Sequence, residues 1–222
     1  MTRATFRANV TPMPVDAGSA VLLALMVCVL LTTIGVMLAA VGDTERAIAG
    51  HFRASAETAY AAEGIAERVI ADLASAPDWS PYLSGVVRST FFDPGAMPVT
   101  AYGETLDVAA LSASVQADAD RTAIWGPNNP RWRLIASGPF AALTGSADTL
   151  AYGLAWLADD PDETDGDAGT DANRVVWLRA RARGPSGAER DVLVTLARIE
   201  CQEEEPCDGS ASVRVLSWRA TS

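Results

Sequence analysis

An acidic segment between positions 159 and 171 holds the densest set of side chains that could do chemistry. It contains seven carboxylates in 13 residues, so that removing it would change the formal charge from -11 to -4. Ca²⁺ binds six to eight oxygen atoms, which carboxylates and carbonyls on a flexible turn can supply. The segment therefore predicts a calcium site, with candidate ligands at Asp160, Asp162, Asp165, Asp167 and Asp171.

The same segment departs from the calcium loop of EF-hand proteins. That loop needs acids at alternate positions followed by glycine, and a glutamate at its twelfth position. Here the third acid comes one residue late, directly before Gly166, and no glutamate closes the loop. The pattern therefore favours a solvated turn between two strands, helped by Gly166 and Gly169 and paired with the arginines that follow, and the calcium site is the alternative.

Two of the three cysteines, Cys201 and Cys207, lie close together near the C-terminus, and the third, Cys28, lies in an apolar run. The five residues between the pair include Pro206, so a disulfide over this short loop is feasible. A metal role is less favoured, because no second cysteine pair or histidine accompanies them. Since disulfides form outside the cytosol, we expect a Cys201–Cys207 disulfide in an exported domain.

The sequence carries no recognisable catalytic motif. His51 is the only histidine, and one histidine on a predicted helix makes no catalytic triad by itself. Phosphate-binding GxxxxGK[ST] and GxGxxG turns and the HExxH metal motif do not occur. We therefore expect that the protein is not an enzyme and that it needs no cofactor other than the predicted Ca²⁺.

The charge balance argues against nucleic acid as a partner. Lys and Arg number 17 against 28 Asp and Glu, and the isoelectric point is near 4.5. A chain this acidic is repelled by phosphate backbones, whose binding depends on clustered cations. The 49% share of hydrophobic residues also excludes a largely disordered chain.

A charge-free apolar segment spans Ser19 to Gly42. As a helix it would be ~36 Å long at ~1.5 Å per residue, enough to cross a hydrocarbon core of ~30 Å. Arg3 and Arg7 precede it and acidic residues follow it, so we expect a cytoplasmic N-terminus, a single pass through the inner membrane and a periplasmic C-terminal part. The alternative is removal by signal peptidase after Gly42, although secretory apolar regions are usually ~7 to 15 residues long.

The helix is expected to continue from position 43 to 76. No proline occurs from position 15 to 76, and a proline inside a helix costs ~3 kcal/mol. After the apolar segment, apolar residues recur at intervals of three and four until Pro77. They are Ile48, Phe52, Ala56, Ala59, Tyr60, Ala66, Val69, Ile70 and Leu73. This pattern predicts an amphipathic helix whose apolar face packs on another part of the protein.

Residues 77–222 consist of short apolar runs separated by Gly, Pro, Asn and Asp, which is typical of strands and turns. In the run before Gly184, apolar residues alternate with Arg179, Arg181 and Arg183, which suits an antiparallel hairpin covered on one side. The expected strands are Arg131–Ser137, Leu150–Leu157, Arg174–Arg183, Arg190–Ile199 and Ser212–Trp218, with one more near Leu106–Val115. The predicted fold is α+β, with the long N-terminal helix packed on an antiparallel sheet of an exported, β-rich domain.

Three features of the N-terminal region occur together: a short leader ending in Gly18, an apolar helix, and the alanine-rich stretch AETAYAAEGIAERVI from Ala56 to Ile70. In this combination the region resembles PilX-type minor pilins of the type IV pilus system. The stretch is also similar to that of the large pseudopilin of type II secretion. The resemblance implies a pilin-like fold and a leader, residues 1–18, that a prepilin peptidase removes after Gly18. Ser19 then becomes a methylated N-terminus, and the partners are other minor pilins or pseudopilins.

Leu23 departs from the pattern of major pilins, which usually carry a glutamate five residues after the cut. A carboxylate in lipid is expensive unless it meets a positive partner, and in major pilins it is thought to meet the N-terminal amine of a neighbouring subunit. In the resembling minor subunits, its loss goes with a place at the tip, in an initiating complex. The alternative is a single-pass anchor for a periplasmic calcium-binding or interaction domain that forms no filament.

Overall fold

The computed structural model describes residues 17–93, 99–101, 104–122, 129–146, 151–199 and 212–221. The helices are α1 (Ala17–Ser75), α2 (Ser80–Leu83), α3 (Val108–Arg121) and α4 (Ala141–Thr144). The strands are β1 (Val99–Ala101), β2 (Glu104–Leu106), β3 (Arg133–Pro139), β4 (Tyr152–Asp159), β5 (Val175–Arg183), β6 (Glu189–Ile199) and β7 (Ser212–Thr221). The chain divides into two units, Met1–Gly50 and His51–Ser222.

In the first unit, the described part of α1 is apolar and exposed. Its side chains from position 19 to 41 are all exposed, and α1 is long and apolar enough to cross a membrane by length and composition. The hydroxyls of Thr32 and Thr33 donate to the carbonyls of Val29 and Leu30, both at 2.8 Å. Because these polar groups are satisfied within the helix, its surface is suited to hydrocarbon.

The second unit is built on a five-stranded antiparallel sheet in which β3 to β7 follow one another in chain order. All five strands were expected from the sequence, and their observed ends differ from the expected ones by only a few residues. Consecutive strands lie side by side because antiparallel neighbours need only a reversing connection between them. The predicted α+β fold, with a long N-terminal helix and an antiparallel sheet, is confirmed.

The C-terminal part of α1 belongs to the main hydrophobic core of this unit. Its buried residues are Ala61, Ala62, Ile65, Ala66, Val69 and Leu73. The same core contains the inward residues of β5, which are Val176, Leu178, Ala180 and Ala182. These four are fully buried, as expected from their alternation with arginines. A helix on one sheet face therefore forms the core.

The buried face of α1 is shorter than the apolar pattern predicts. Ile48, Phe52 and Tyr60 were expected on this face but are 64%, 77% and 70% exposed. At Thr58 the helix meets Gly184, where the β5 to β6 hairpin turns, so closely that a Cβ on the glycine would lie 2.1 Å from Thr58 Oγ1. The contact ends within about one turn of this point: Arg190 Nη2 on β6 still donates to Ser55 Oγ at 2.5 Å, whereas residues 51–53 are exposed. Tyr60 instead lies off the face that Ala61 and Ala62 occupy.

The opposite face of the sheet is partly covered by α3, where the sequence analysis expected a strand near Leu106–Val115. That prediction was wrong because apolar residues recur at helical spacing in this segment, and because the Asp107 carboxylate caps the helix by accepting from the Ala110 N–H at 2.9 Å. The residues that share this second core are Leu106, Val108, Val115, Tyr152, Leu154 and Trp156. Strand β4 is therefore buried along its whole length, on both faces.

Two contacts fix the chain after α1. The Trp79 indole is fully buried, and its Nε1 donates to the Leu73 carbonyl at 2.9 Å, which satisfies a carbonyl in the last turn of α1. The buried carboxylate of Asp72 accepts from Ser89 Oγ at 2.5 Å and from the Thr90 N–H at 2.9 Å. Arg68 completes this cluster with an ion pair to Asp72 at 3.0 Å. The segment that follows α2 is thus attached to the helix.

We predict that Gly153→Ala will destabilise the second unit. A Cβ at position 153 would lie 2.0 Å from Cδ1 and 2.8 Å from Cγ1 of the buried Ile65, so the helix or the strand must shift. The expected cost is ~1 to 3 kcal/mol in the free energy of unfolding, measured by urea unfolding of the full chain in detergent micelles. Adding Ile65→Val to Gly153→Ala removes Cδ1 and should restore part of this loss. A neutral Gly153→Ala would contradict the tight packing of helix on sheet.

Candidate functional site

The acidic loop, residues 160–174, joins β4 to β5 directly after Asp159, the last residue of β4. By alternation along the strand, Asp159 lies on the same face as Ala155 and Leu157, which belong to the core shared with α1. Farther along the loop, the Asp171 N–H donates to Ser80 Oγ at 3.3 Å and joins the loop to α2. The loop is therefore held both by the sheet and by the start of a helix.

Three carboxylates meet where this loop leaves the sheet. Asp159, Glu163 and Asp165 each offer an oxygen atom, and these atoms all lie within 4.8 Å of one another. Asp159 and Glu163 are 5% and 6% exposed, whereas Asp165 is exposed. Within the described part of the chain, Asp159 Oδ1 and Glu163 Oε2 are buried and have no hydrogen-bond partner. We call these three residues the carboxylate cluster.

Hydrogen bonds inside the loop position the carboxylate cluster. Glu163 Oε1 accepts from the Ala172 N–H at 2.9 Å, which turns the other oxygen of this carboxyl group away from the backbone donor. Asp160 closes the turn by accepting from the Asp162 N–H at 2.6 Å and from Asn173 Nδ2 at 2.5 Å. The carboxylate arrangement is thus fixed by backbone and amide donors on both sides of the loop.

Burial and mutual repulsion raise the pKa values of acids in and beside the carboxylate cluster. Burial raises the pKa of Asp159 to about 8, and the negative charge of Glu163 adds to the effect. Burial, followed by the charge of Asp165, also raises the pKa of Glu163. For Asp171, burial raises the pKa to about 6. A neighbouring positive charge would favour the ionised forms of all these groups.

The calcium ligands expected from the sequence overlap the carboxylate cluster at one residue. Of the five, which are Asp160, Asp162, Asp165, Asp167 and Asp171, one belongs to the carboxylate cluster: Asp165. Both oxygens of Asp160 accept loop hydrogen bonds, and Asp167 accepts from the Gly169 N–H and the Thr170 hydroxyl. Spacing along the segment missed Asp159 and Glu163. The available signal was that Asp159 continues the inward alternation of β4 beyond Ala155 and Leu157.

The arginines of β5 are neutralised within the sheet and not by the acidic loop. Arg181 pairs with Asp191 on β6 at 2.6 Å and with Glu189 at 3.1 Å. Arg179 reaches Asp191 at 2.5 Å, and Arg183 reaches Glu189 at 2.7 Å. These pairs share two carboxylates among three guanidinium groups, which makes this face a structural ion-pair ladder. The expectation that the arginines pair with the acidic loop therefore has no support in these contacts.

Of the other residues named in the sequence, the structure describes those on α1 but not the two C-terminal cysteines. Gly18 and Ser19 lie in the first turn of α1, and Leu23 and His51 are exposed on the same helix. Cys201 and Cys207 lie outside the described residues, so the disulfide remains a prediction. The leader cleavage and the methylated N-terminus likewise remain predictions.

We predict that Asp191→Asn will destabilise the protein near neutral pH and much less in acid. Burial opposes ionisation of Asp191, but hydrogen bonds from Arg181 and Arg179 outweigh it and hold the pKa of the carboxyl below its usual value. A lowered carboxyl pKa contributes stability above the unfolded pKa of ~3.9, and this is lost as the pH falls through the folded pKa. The expected loss for the variant is ~3 kcal/mol near pH 7, because buried arginines lose their partner.

Urea unfolding of both proteins across the acid range measures this difference. The matched control is Asp118→Asn, which removes an exposed ion pair with Arg121 and should cost less than ~1 kcal/mol. Equal losses of unfolding free energy in the two variants would contradict a stabilising contribution of the ion-pair ladder. So would a loss for Asp191→Asn that is as large in acid as near pH 7.

Comparisons with known proteins assign no family to this chain. No family model, curated protein or solved structure matches it.

Proposed function

We propose that the protein is a minor pilin-like or pseudopilin-like subunit that assembles into a type IV pilus or a related filament through α1. It is inserted in the inner membrane, cut after Gly18 by a prepilin peptidase, and assembled with other minor pilins or pseudopilins. The observation that carries the proposal is α1 itself: one helix, Ala17–Ser75, contains both an exposed apolar segment and an alanine-rich segment that is buried in the core of the sheet unit.

An assembly helix has two requirements, and α1 is compatible with both. It must be stable in lipid before assembly, and the exposed side chains from position 19 to 41 suit a hydrocarbon environment. It must then pack against equivalent helices, for which apolar surfaces with small residues such as Gly35 and Gly42 are favourable. A Cβ at either glycine would meet no atom within 4 Å, so both positions are open to a neighbour.

The globular part would then provide specificity toward partner subunits. Leu23 replaces the glutamate by which a major pilin docks beneath its neighbour, which favours a position at the tip or in an initiating complex over one along the shaft. In this arrangement the sheet unit is periplasmic before assembly and belongs to the pilus afterwards.

The same helix also favours a simpler candidate function. A single-pass anchor needs only a span such as residues 19–42, and α1 is long and apolar enough for that role. The anchor hypothesis assigns the sheet unit a binding role in the periplasm without a filament. The two hypotheses differ in what happens at Gly18.

We predict that the natural protein begins at Ser19 and carries one methyl group on its N-terminal amine. Mass spectrometry of the N-terminus of the natively expressed protein measures this directly. An intact Met1 would support the simple anchor, and a start at Asp43 would support ordinary secretion. Gly18→Val should leave the leader attached because a bulky side chain blocks the cut, whereas the matched control Gly42→Ala, with open space around it, should be processed normally.

We predict that Leu23→Glu will move the subunit from the tip into the shaft of the filament. The new carboxylate would regain a partner in the N-terminal amine of a neighbour, which offsets a cost of ~3 kcal/mol in lipid. Immunogold labelling along filaments measures the distribution. Leu22→Glu is the matched control, since Leu22 and Leu23 are both 64% exposed. Only residue 23 corresponds to the glutamate of major pilins, five residues after the cut. Equal incorporation of wild type and Leu23→Glu along the whole length would refute the tip assignment.

A further inference from the structure

We propose that the carboxylate cluster at the end of β4 binds a divalent cation of the size of Ca²⁺, with Asp159, Glu163 and Asp165 as protein ligands. This set shares only Asp165 with the ligands expected from the acidic spacing. The inference does not depend on filament assembly, because it concerns the sheet unit alone.

The carboxylate cluster contains buried carboxyl oxygens without donors. Asp159 Oδ1 and Glu163 Oε2 are withdrawn from water, and within the described residues no N–H or hydroxyl donates to them. The Asp159 and Glu163 carboxyl groups can hydrogen-bond each other only when one of them is protonated. A buried carboxylate without a partner is costly, and proteins resolve that cost by pairing the charge or by coordinating a metal ion. Other buried acids in this protein are paired: Asp72 with Ser89, Thr90 and Arg68, and Asp191 with two arginines. Among the described acids, buried carboxyl oxygens without a hydrogen-bond partner occur at Asp159 and Glu163 of the carboxylate cluster and at Asp171 of the same loop.

The oxygens of the carboxylate cluster are spaced closely enough for one shared ion. Oxygen ligands lie ~2.3 to 2.6 Å from Ca²⁺, so two ligands of one ion are at most about 5 Å apart. The three carboxylates have oxygens within 4.8 Å of one another, which is compatible with one shared ion. The set contains oxygen ligands alone, the type that hard cations such as Ca²⁺ prefer.

The carboxylate cluster is held in place by the fold and is accessible from solvent. The Ala172 N–H holds one oxygen of Glu163 at 2.9 Å and leaves the other available. Strand β4 fixes Asp159, which pairs in register with Val176. Asp165 is exposed, so the cluster is open to solvent on one side and water can complete the six to eight ligands of Ca²⁺. Mg²⁺, which needs near-ideal octahedral geometry and gives up its waters reluctantly, should bind more weakly.

A shared proton is the competing explanation for the same geometry. Burial and the neighbouring Glu163 charge raise the pKa of Asp159 to about 8, so the cation-free pair can keep one proton between two carboxyl groups. A proton relieves the charge of one acid, whereas a divalent cation relieves that of two and also draws in the exposed Asp165. The two explanations differ in their response to added Ca²⁺.

The test uses the purified full-length chain in detergent micelles, stripped of cations with EGTA and titrated with CaCl₂ by isothermal titration calorimetry. We expect binding with a dissociation constant of about 10⁻³ M or tighter, as in extracellular calcium modules. At a Ca²⁺ concentration about ten times that constant, the equilibrium constant for unfolding should fall roughly 11-fold. MgCl₂ at equal concentration should have a smaller effect.

Two variants distinguish the carboxylate cluster from the acidic loop as a whole. Glu163→Gln keeps the shape and an acceptor for the Ala172 N–H, and it should weaken Ca²⁺ binding at least ~10-fold because one ligand charge is lost. Asp162→Asn is the matched control, since Asp162 is an exposed acid one residue away and lies outside the cluster. It should change Ca²⁺ affinity less than ~3-fold, an effect of surface charge alone.

Three results would overturn the proposal. One is the absence of heat and of any stabilisation at about 10 mM CaCl₂, well above the weakest calcium sites, which would leave the shared proton as the explanation. Another is an equal loss of affinity in Asp162→Asn and Glu163→Gln, which would indicate diffuse attraction by the loop. The third is full Ca²⁺ affinity in a Glu163→Gln protein whose unfolding curve shows that it is folded.

Discussion

The close contact of α1 with one face of the sheet is the constraint on which the rest of the second unit depends. A helix can approach a sheet closely only where both surfaces lack bulk, and here Ala61, Ala62 and Ala66 supply the helix side of the core. Gly153 supplies the sheet side, at a point where Ile65 fills the space that a Cβ would need. This contact also explains why the segment is rich in alanine, which in addition is the best helix former.

The same contact decides where acids on that face of the sheet become buried. Once α1 covers one face of the sheet, any carboxylate at an inward strand position or on the inner side of the helix loses water. Asp72 is compensated by hydroxyl and backbone donors and by Arg68. Asp191, on the other face of the sheet, is compensated by arginines that β5 places beside it in register. Asp159 meets further acids, and this difference in surroundings sets the carboxylate cluster apart from the structural ion pairs.

Much of the fold could be predicted because its signals are local. The strands of the large sheet are short apolar runs bounded by turn residues, with clear alternation of apolar residues and arginines in β5, and the absence of proline from position 15 to 76 permits one helix. The segment of α3 is rich in small residues, so its apolar pattern is weak and was interpreted as a strand. The helical spacing of Val108 and Val115 and the cap at Asp107 favour a helix instead. The extent of the helix–sheet contact was also misjudged, since it ends near the turn at Gly184 and no property of Phe52 reveals that limit.

For the acidic loop, sequence established the density of charge and its position between two strands, because both are counted directly along the chain. It also established the apolar helix and its continuation, because helical periodicity and hydrophobic length are properties of consecutive residues. Which carboxylates are buried, and which of them meet, depended on the folded chain. Burial is a property of what packs around a residue, and the folded loop is held partly from a distance in sequence, since the Asp171 N–H donates to Ser80 Oγ at 3.3 Å. No spacing rule within the loop contains that information.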